Sequence, residues 1–115
     1  MDIEARDEQG CLVLDVLLKD LDSTVNESVK NQIFAIIDSQ TAPKVLLNLT
    51  RVNFMDSSAI GSLVSVRNSI VARKGAIALY GLHPHVRKII RVVTLDTIFD
   101  IYEDEASGLA SLTGA

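Results

Sequence analysis

The residues best suited to chemistry are Asp56, Ser57 and Ser58, which follow one another directly along the chain. Aspartate and serine are preferred at helix N-termini, so this run predicts that a helix begins at Ser57 or Ser58. A hydroxyl group there lies near unpaired backbone N–H groups and the positive end of the helix dipole, where a phosphate group is stabilised. The plainer interpretation is that these residues only cap the helix.

Other kinds of active site lack their sequence signals. The chain has neither a Gly-x-Ser-x-Gly elbow nor a glycine-rich phosphate loop. His83 and His85 are too few for a metal site, and the single cysteine, Cys11, is far away in the sequence. An enzyme with Ser57 as its nucleophile would need an activating base that the sequence does not place. We therefore predict no catalytic residue, no metal and no cofactor.

The predicted helix after Asp56 has three different faces when residues are placed 100° apart. A stripe expected to enter the core consists of Ala59, Leu63, Val66 and Ile70. A second stripe of small side chains, which a partner's backbone could approach closely, consists of Ser58, Ser62, Ser65 and Ser69. A third set surrounds Arg67 and consists of Ile60, Val64 and Val71. The third set either belongs to the core or contacts a partner, and we predict Ile60, Ser62 and Arg67 as partner contacts.

The start of the first helix offers a further candidate. Ser23 or Thr24 is the expected N-cap, and Glu27 lies three residues beyond Thr24, as in a capping box. Asp22 precedes this helix, where it either caps, forms a turn or contacts a partner. Phe34 lies off the apolar stripe and is either an exposed contact or packed under another element.

Hydrophobic periodicity predicts the elements that position these residues. Strands are expected at residues 3–7, 11–18, 44–49, 76–80 and 98–102, and helices at about residues 24–40, 57–74, 85–93 and 103–112. Gly75 is the expected stop of the second helix. The order β-β-α-β-α-β-α-β-α predicts an α/β fold with a mixed, mostly parallel sheet and helices packed on it.

Length and composition limit the classes of function. The 115 residues fit one domain over residues 1–115, and the 48% of hydrophobic residues can fill one core. A net charge of -4 argues against direct nucleic-acid binding. Residues 1–8 lack the apolar segment of a signal peptide, and no apolar run is long enough to insert into a membrane. These features predict a cytoplasmic protein.

Residues 45–61, VLLNLTRVNFMDSSAIG, resemble the signature of the STAS family. In that family a strand and a short loop lead to Asp-Ser-Ser/Thr-Gly-Leu at the start of a helix. Leu21-Asp22 lies where the family has a Leu-Asp motif, and Lys74-Gly75 also falls in a matching place. The resemblance covers nearly the whole chain and implies a single STAS domain. It departs from the family at Ala59 and Lys19, where the family has glycine; Ala59 is expected to narrow the space around the serine.

The Phe-Met-Asp-Ser-Ser run resembles bacterial anti-sigma-factor antagonists in particular. The resemblance implies that Ser57 is phosphorylated by an anti-sigma-factor serine kinase, with Ser58 as the second choice, and that a serine phosphatase resets it. It implies that the unphosphorylated domain binds the kinase and frees a sigma factor. Asp22, Asp56, Ser57 and Ser58 would then lie in the partner interface. The alternative implied by the same family is a STAS subunit of a membrane transport ATPase complex that is not phosphorylated.

Overall fold

Strands and helices alternate along the chain, as the periodicity predicts. In the computed structural model, which describes residues 2–114, the strands are β1 Ile3–Glu8, β2 Cys11–Val16, β3 Asp20–Leu21, β4 Lys44–Asn48, β5 Phe54–Met55, β6 Ala76–Tyr80 and β7 Asp100–Tyr102. The helices are α1 Asn26–Ile37, α2 Ser57–Ala72, α3 Pro84–Val92 and α4 Glu105–Thr113. A 3₁₀ turn covers Leu95–Thr97.

The main sheet is mixed, with the strand order β1-β2-β4-β6-β7. Only β1 runs antiparallel to its neighbour, and the pairs β2–β4, β4–β6 and β6–β7 are parallel. The hairpin between β1 and β2 turns at Gln9 and Gly10, which both have positive φ angles, as a tight two-residue turn requires. The predicted α/β fold with a mostly parallel sheet is therefore confirmed.

Helices cover both faces of the main sheet. The larger core cluster joins one face of the strands to α1, α2 and α3, through residues such as Ile33, Leu63 and Ile90. The smaller cluster lies on the other face, where Leu109 of α4 packs with Val13 and Leu46. Because successive strand residues point to opposite faces, the neighbouring residues Val45 and Leu46 belong to different clusters.

A small second sheet lies beside the start of α2. In it β3 pairs with β5 in parallel, with Asp20 opposite Phe54 and Leu21 opposite Met55. Phe54 and Met55 lie outside the predicted strands, because strands of two residues are too short to show a period. This pairing places the residues that follow the two strands, Asp22 and Asp56, side by side.

Several element boundaries differ from the prediction. The second strand ends at Val16, before the predicted limit at residue 18. The last strand begins only at Asp100, because the backbone N–H groups of Ile98 and Phe99 donate back to the Leu95 oxygen at the end of the 3₁₀ turn. The capping box predicted for Thr24 and Glu27 is wrong. Val25 occupies the N-cap position of α1 without a side-chain bond, and the Thr24 side chain donates to Asp22 instead.

Candidate functional site

Asp56 caps α2 and connects it to the loop before α1. Its backbone is extended, with φ -103° and ψ -179°, and its Oδ1 accepts hydrogen bonds from the backbone N–H groups of Ser58 at 3.0 Å and Ala59 at 3.1 Å. Its Oδ2 accepts from the backbone N–H of Ser23 at 3.0 Å. The hydroxyl of Ser58, followed by these backbone donors, lowers the pKa of Asp56. The predicted cap at Asp56 is confirmed, and its carboxylate is stabilised in the ionised form.

Ser57 is the first residue of α2, and its side chain is exposed. None of the side-chain hydrogen bonds formed within residues 2–114 uses its hydroxyl, which therefore stays available to solvent. The first turn of α2 has the sequence Ser-Ser-Ala-Ile and brings no acidic side chain of its own. The N-terminal end of α2 thus presents an accessible hydroxyl in a position that favours an anion.

Ser58 is adjacent in sequence, but its hydroxyl is engaged in two hydrogen bonds. Its Oγ donates to Asp56 Oδ1 at 2.5 Å and accepts from Asn26 Nδ2 at 2.7 Å. The side chain is half-buried, in contrast to that of Ser57. Ser57, the first predicted acceptor, and Ser58, the second choice, therefore differ in exposure and in hydrogen bonding.

Asn26 joins the site from the first turn of α1, and the sequence analysis missed it. This residue is 8% exposed, and its Nδ2 also donates to the backbone oxygen of Asp22 at 3.0 Å. Its Oδ1 accepts from Ser62 Oγ at 2.7 Å. Its spacing from Val29 and Ile33 places this polar residue on the buried stripe of α1, and that spacing is the signal that could have identified it.

Asp22 has a structural role in the loop before α1. Its Oδ1 accepts from the Thr24 backbone N–H at 2.9 Å and from the Thr24 hydroxyl, which makes a local turn. Its backbone oxygen accepts from Asn26 Nδ2 at 3.0 Å. The turn formation considered for Asp22 is therefore present, and Asp22 lies within the same cluster as Asp56, Ser58 and Ser62.

Ile60 and Arg67 occupy another face of α2. Ile60 is partly buried against the larger core cluster, which agrees with the core alternative, whereas Val71 of the same set is 47% exposed. Arg67 is half-buried, and its Nε donates to the backbone oxygen of Ile98 at 3.4 Å. Since ten residues of helix separate Arg67 from Ser57, the two lie about 15 Å apart along the axis of α2. The structure therefore groups Asp22, Asp56, Ser57, Ser58 and Ser62 together and places Arg67 away from them.

An exposed aromatic pair lies next to the cluster. Phe54, two residues before Asp56, is 41% exposed and stacks on His85 at the start of α3, with ring centroids 5.9 Å apart and an interplanar angle of 17°. For Phe34, which was expected to be either an exposed contact or packed under another element, the second alternative is present, because it lies partly buried against the core. The exposed phenylalanine beside the site is thus Phe54.

The side chain of Ala59 is buried in the core, whereas that of Ser57 is exposed. It is 2% exposed and belongs to the larger core cluster. Its methyl group fills space in the core, so the expected narrowing around Ser57 is wrong.

Comparison with known proteins agrees with this geometry. The family model for the STAS domain matches residues 2–108. The chain belongs to the STAS domain family. The STAS relatives include the anti-sigma F factor antagonist of Paenibacillus polymyxa, which is 27% identical over 112 residues, or 97% of this chain and 95% of that protein.

Solved structures share the STAS fold across nearly the whole chain. An anti-sigma-factor antagonist (STAS) domain protein from Planctomyces limnophilus superposes with a TM-score of 0.87 at 24% identity, covering 96% of this chain and 97% of that one. Unphosphorylated SpoIIAA, an anti-sigma factor antagonist, gives a TM-score of 0.81 at 21% identity, covering 98% and 97% of the two chains. SpoIIAA, described as a Bacillus cell fate determinant, has also been solved in a phosphorylated form, with a TM-score of 0.68, 21% identity and coverage of 91% and 95%.

Among residues 2–114, each helix is too short or too polar to cross a bilayer.

Proposed function

We propose that this STAS domain is an anti-sigma-factor antagonist, a binding module that is switched by phosphorylation of Ser57. In its unphosphorylated form it binds an anti-sigma-factor serine kinase in the cytoplasm and thereby releases a sigma factor, and a serine phosphatase restores this form. The observation that carries the proposal is the exposed Ser57 hydroxyl at the first position of α2, beside the Asp56 cap. The relative in Paenibacillus polymyxa, named an anti-sigma F factor antagonist, supports the general role.

The position of Ser57 explains how one phosphate group could act as a switch without refolding the domain. The positive end of the helix dipole at the start of α2 favours an anion there. The phosphate adds about -1.5 to -2 charges at neutral pH, next to the carboxylate of Asp56. A partner that docks on this end of α2 would meet that charge directly, and binding would weaken through repulsion and desolvation.

The surroundings of Ser57 suit a docking surface for a protein partner. The half-buried Ser58 and Ser62 leave the adjoining face of α2 free of long side chains. Phe54 supplies an exposed apolar ring beside it, in contact with His85. Aromatic residues surrounded by polar groups are typical of the centres of protein interfaces. We propose Asp22, Asp56, Ser57, Ser58, Ile60, Ser62 and Arg67 as the partner-contacting residues.

The switch is tested by comparing the binding of four forms of the chain to the cognate kinase. Wild type and Ser57→Ala are expected to bind similarly, whereas Ser57→Asp should bind at least about tenfold more weakly because of its added charge. Ser39→Asp is the matched control. Ser39 is exposed, follows the end of α1 and lies at the end of the parallel strands that is opposite to Ser57. Equal binding by Ser57→Asp and Ser39→Asp would contradict the switch.

The chemical state of Ser57 in the cell is an independent test. Phosphopeptide mapping of the protein from its native cell should find a phosphate on Ser57. If no phosphate occurs under any growth condition, the unphosphorylated role in a membrane transport ATPase complex becomes the better proposal.

A further inference from the structure

Two neighbouring hydroxyls at the start of α2 are potential phosphate acceptors, yet only one of them is held by other side chains. Ser58 Oγ donates its proton to Asp56 Oδ1 and accepts a hydrogen bond from Asn26 Nδ2. Ser57 is exposed, and its hydroxyl takes no part in the side-chain hydrogen bonds of residues 2–114. One of the two bonds that hold Ser58 comes from Asn26, a residue on another helix.

We propose that Asn26 is the positioning residue that makes Ser57, and not Ser58, the phosphate acceptor. The inference rests on the proposed phosphorylation switch and adds the device that determines where the phosphate goes. Asn26 would act through the Ser58 hydroxyl and would not touch the transferred group.

Phosphoryl transfer explains why the hydrogen bonds matter. The acceptor oxygen forms a new bond to the γ-phosphorus of ATP, the bond from that phosphorus to the β–γ bridging oxygen breaks, and ADP leaves. The hydroxyl proton passes to a base of the kinase. The acceptor must therefore point a lone pair at the phosphorus and release its proton outward. Asn26 occupies one lone pair of Ser58, and Asp56 holds its proton.

Asp56 does not turn Ser58 into an activated nucleophile. Besides the Ser58 hydroxyl, its carboxylate accepts from the backbone N–H groups of Ser58, Ala59 and Ser23. These donors lower the pKa of Asp56, which makes it a weak base. The contact with Asp56 therefore restrains Ser58 and does not prepare it to attack phosphorus.

Asn26 is itself fixed in place, so its hold on Ser58 is persistent. The side chain is 8% exposed, and its amide also bonds to the Asp22 oxygen and to the Ser62 hydroxyl. Releasing Ser58 would leave a buried N–H without a partner unless the start of α1 moved. Ser57 carries no comparable restraint and can rotate towards a kinase.

The test maps phosphate on Ser57 and Ser58 by fragment-ion mass spectrometry of protein made in its native cell. Wild type should carry phosphate on Ser57 alone, and Ser57→Ala should carry none. In Asn26→Ala phosphate should appear on Ser58 as well, at least about tenfold above the background at Ser58 in wild type, because a hydrogen bond that restrains the hydroxyl is lost. The double variant Asn26→Ala/Ser57→Ala should become phosphorylated on Ser58.

Two further variants separate this effect from general damage to the fold. Asn26→Asp keeps the side-chain shape and the bond from Ser62 but cannot donate to Ser58, so it should also redirect phosphate. Ser62→Ala removes a different bond of the same cluster and should leave the phosphate on Ser57. Thermal unfolding of each variant confirms that the domain is folded.

The outcomes distinguish the inference from the function on which it rests. Phosphate on Ser57 alone in wild type and in both Asn26 variants, with none in the double variant, overturns the role of Asn26 and leaves the switch intact. Phosphate on Ser58 in wild type also overturns the inference. Absence of phosphate from both serines in wild type overturns the switch, and the inference with it.

Discussion

Arg6 of β1 and Asp15 of β2 are diagonal neighbours across the hairpin, with Arg6 Nε donating to Asp15 Oδ2 at 2.7 Å and a second guanidinium N–H donating to Oδ1 at 2.9 Å. The same guanidinium group donates to both carboxylate oxygens of Glu105, at the start of α4. Asn48 completes the group by donating to Asp15 at 2.8 Å, and the Tyr80 hydroxyl donates to Glu105 at 3.0 Å. This cluster connects four strands of the sheet, β1, β2, β4 and β6, to the first turn of α4.

Arg6→Met should therefore destabilise the domain. The variant leaves Asp15 and Glu105 without their common cation, and charged hydrogen bonds in a half-buried site predict a loss of about 1–2 kcal/mol in the free energy of unfolding. Urea unfolding followed by circular dichroism measures the loss. Glu8→Gln is the control, because Glu8 meets Arg6 at 3.4 Å with 43% of its side chain exposed, and it should cost less than about 0.5 kcal/mol. Equal losses would show that the cluster contributes no more than a surface ion pair.

The stabilisation from Arg6 should disappear in acid. Hydrogen bonds from Arg6 are the largest cause lowering the pKa values of Asp15 and Glu105. A carboxylate with a lowered pKa in the folded state stabilises fully above its ordinary pKa, at about pH 5 and higher, and loses this as the pH falls through the folded value. The difference in unfolding free energy between wild type and Arg6→Met should thus be largest at pH 7 and smaller at pH 3. A difference that stays constant between these two pH values would contradict the assignment.

Alanine substitutions at two glycines, Gly61 within α2 and Gly75 after it, should change the stability of the domain in opposite directions. A Cβ atom at Gly75 would lie 2.2 Å from the backbone oxygen of Pro43, so Gly75→Ala should cost about 1–3 kcal/mol through overpacking. A Cβ atom at Gly61 meets nothing within 4 Å, and Gly61→Ala should stabilise the helix by about 0.5–1 kcal/mol. Thermal unfolding of the two variants tests this prediction. If the midpoint temperature moved in the same direction for both, the prediction would be wrong.

Local signals predicted the long elements and the start of the site. The strands β4 and β6 are short, nearly continuous apolar runs, as expected for strands covered on both faces, and the buried stripe of α2 follows a period of 3.6 residues. Asp56-Ser57-Ser58 predicted the start of α2, because capping depends on residues within one turn.

Features that depend on contacts distant in sequence were not predictable in this way. The pairing of β3 with β5 joins segments 34 residues apart, Asp20 and Phe54, and leaves no pattern in either. Gly75 was expected to end α2 through its backbone freedom, but the left-handed residue is Lys74, with φ 62°. Gly75 is instead required by its close approach to Pro43. The hydrogen bond from Asn26 to Ser58 likewise joins two helices that are distant in the sequence.

Arg67 provides the last prediction, because it extends the proposed interface beyond the start of α2. Arg67→Glu should weaken binding to the cognate kinase by about tenfold or more if a partner contacts this half-buried face. Its contact with the Ile98 oxygen is long, at 3.4 Å, so the thermal midpoint should change little. Lys88→Glu makes the same change in net charge at an exposed position on α3 and should bind like wild type. Unchanged affinity of Arg67→Glu would restrict the interface to the first turn of α2 and the residues around Asn26, whereas equal weakening by both variants would indicate only a general effect of charge.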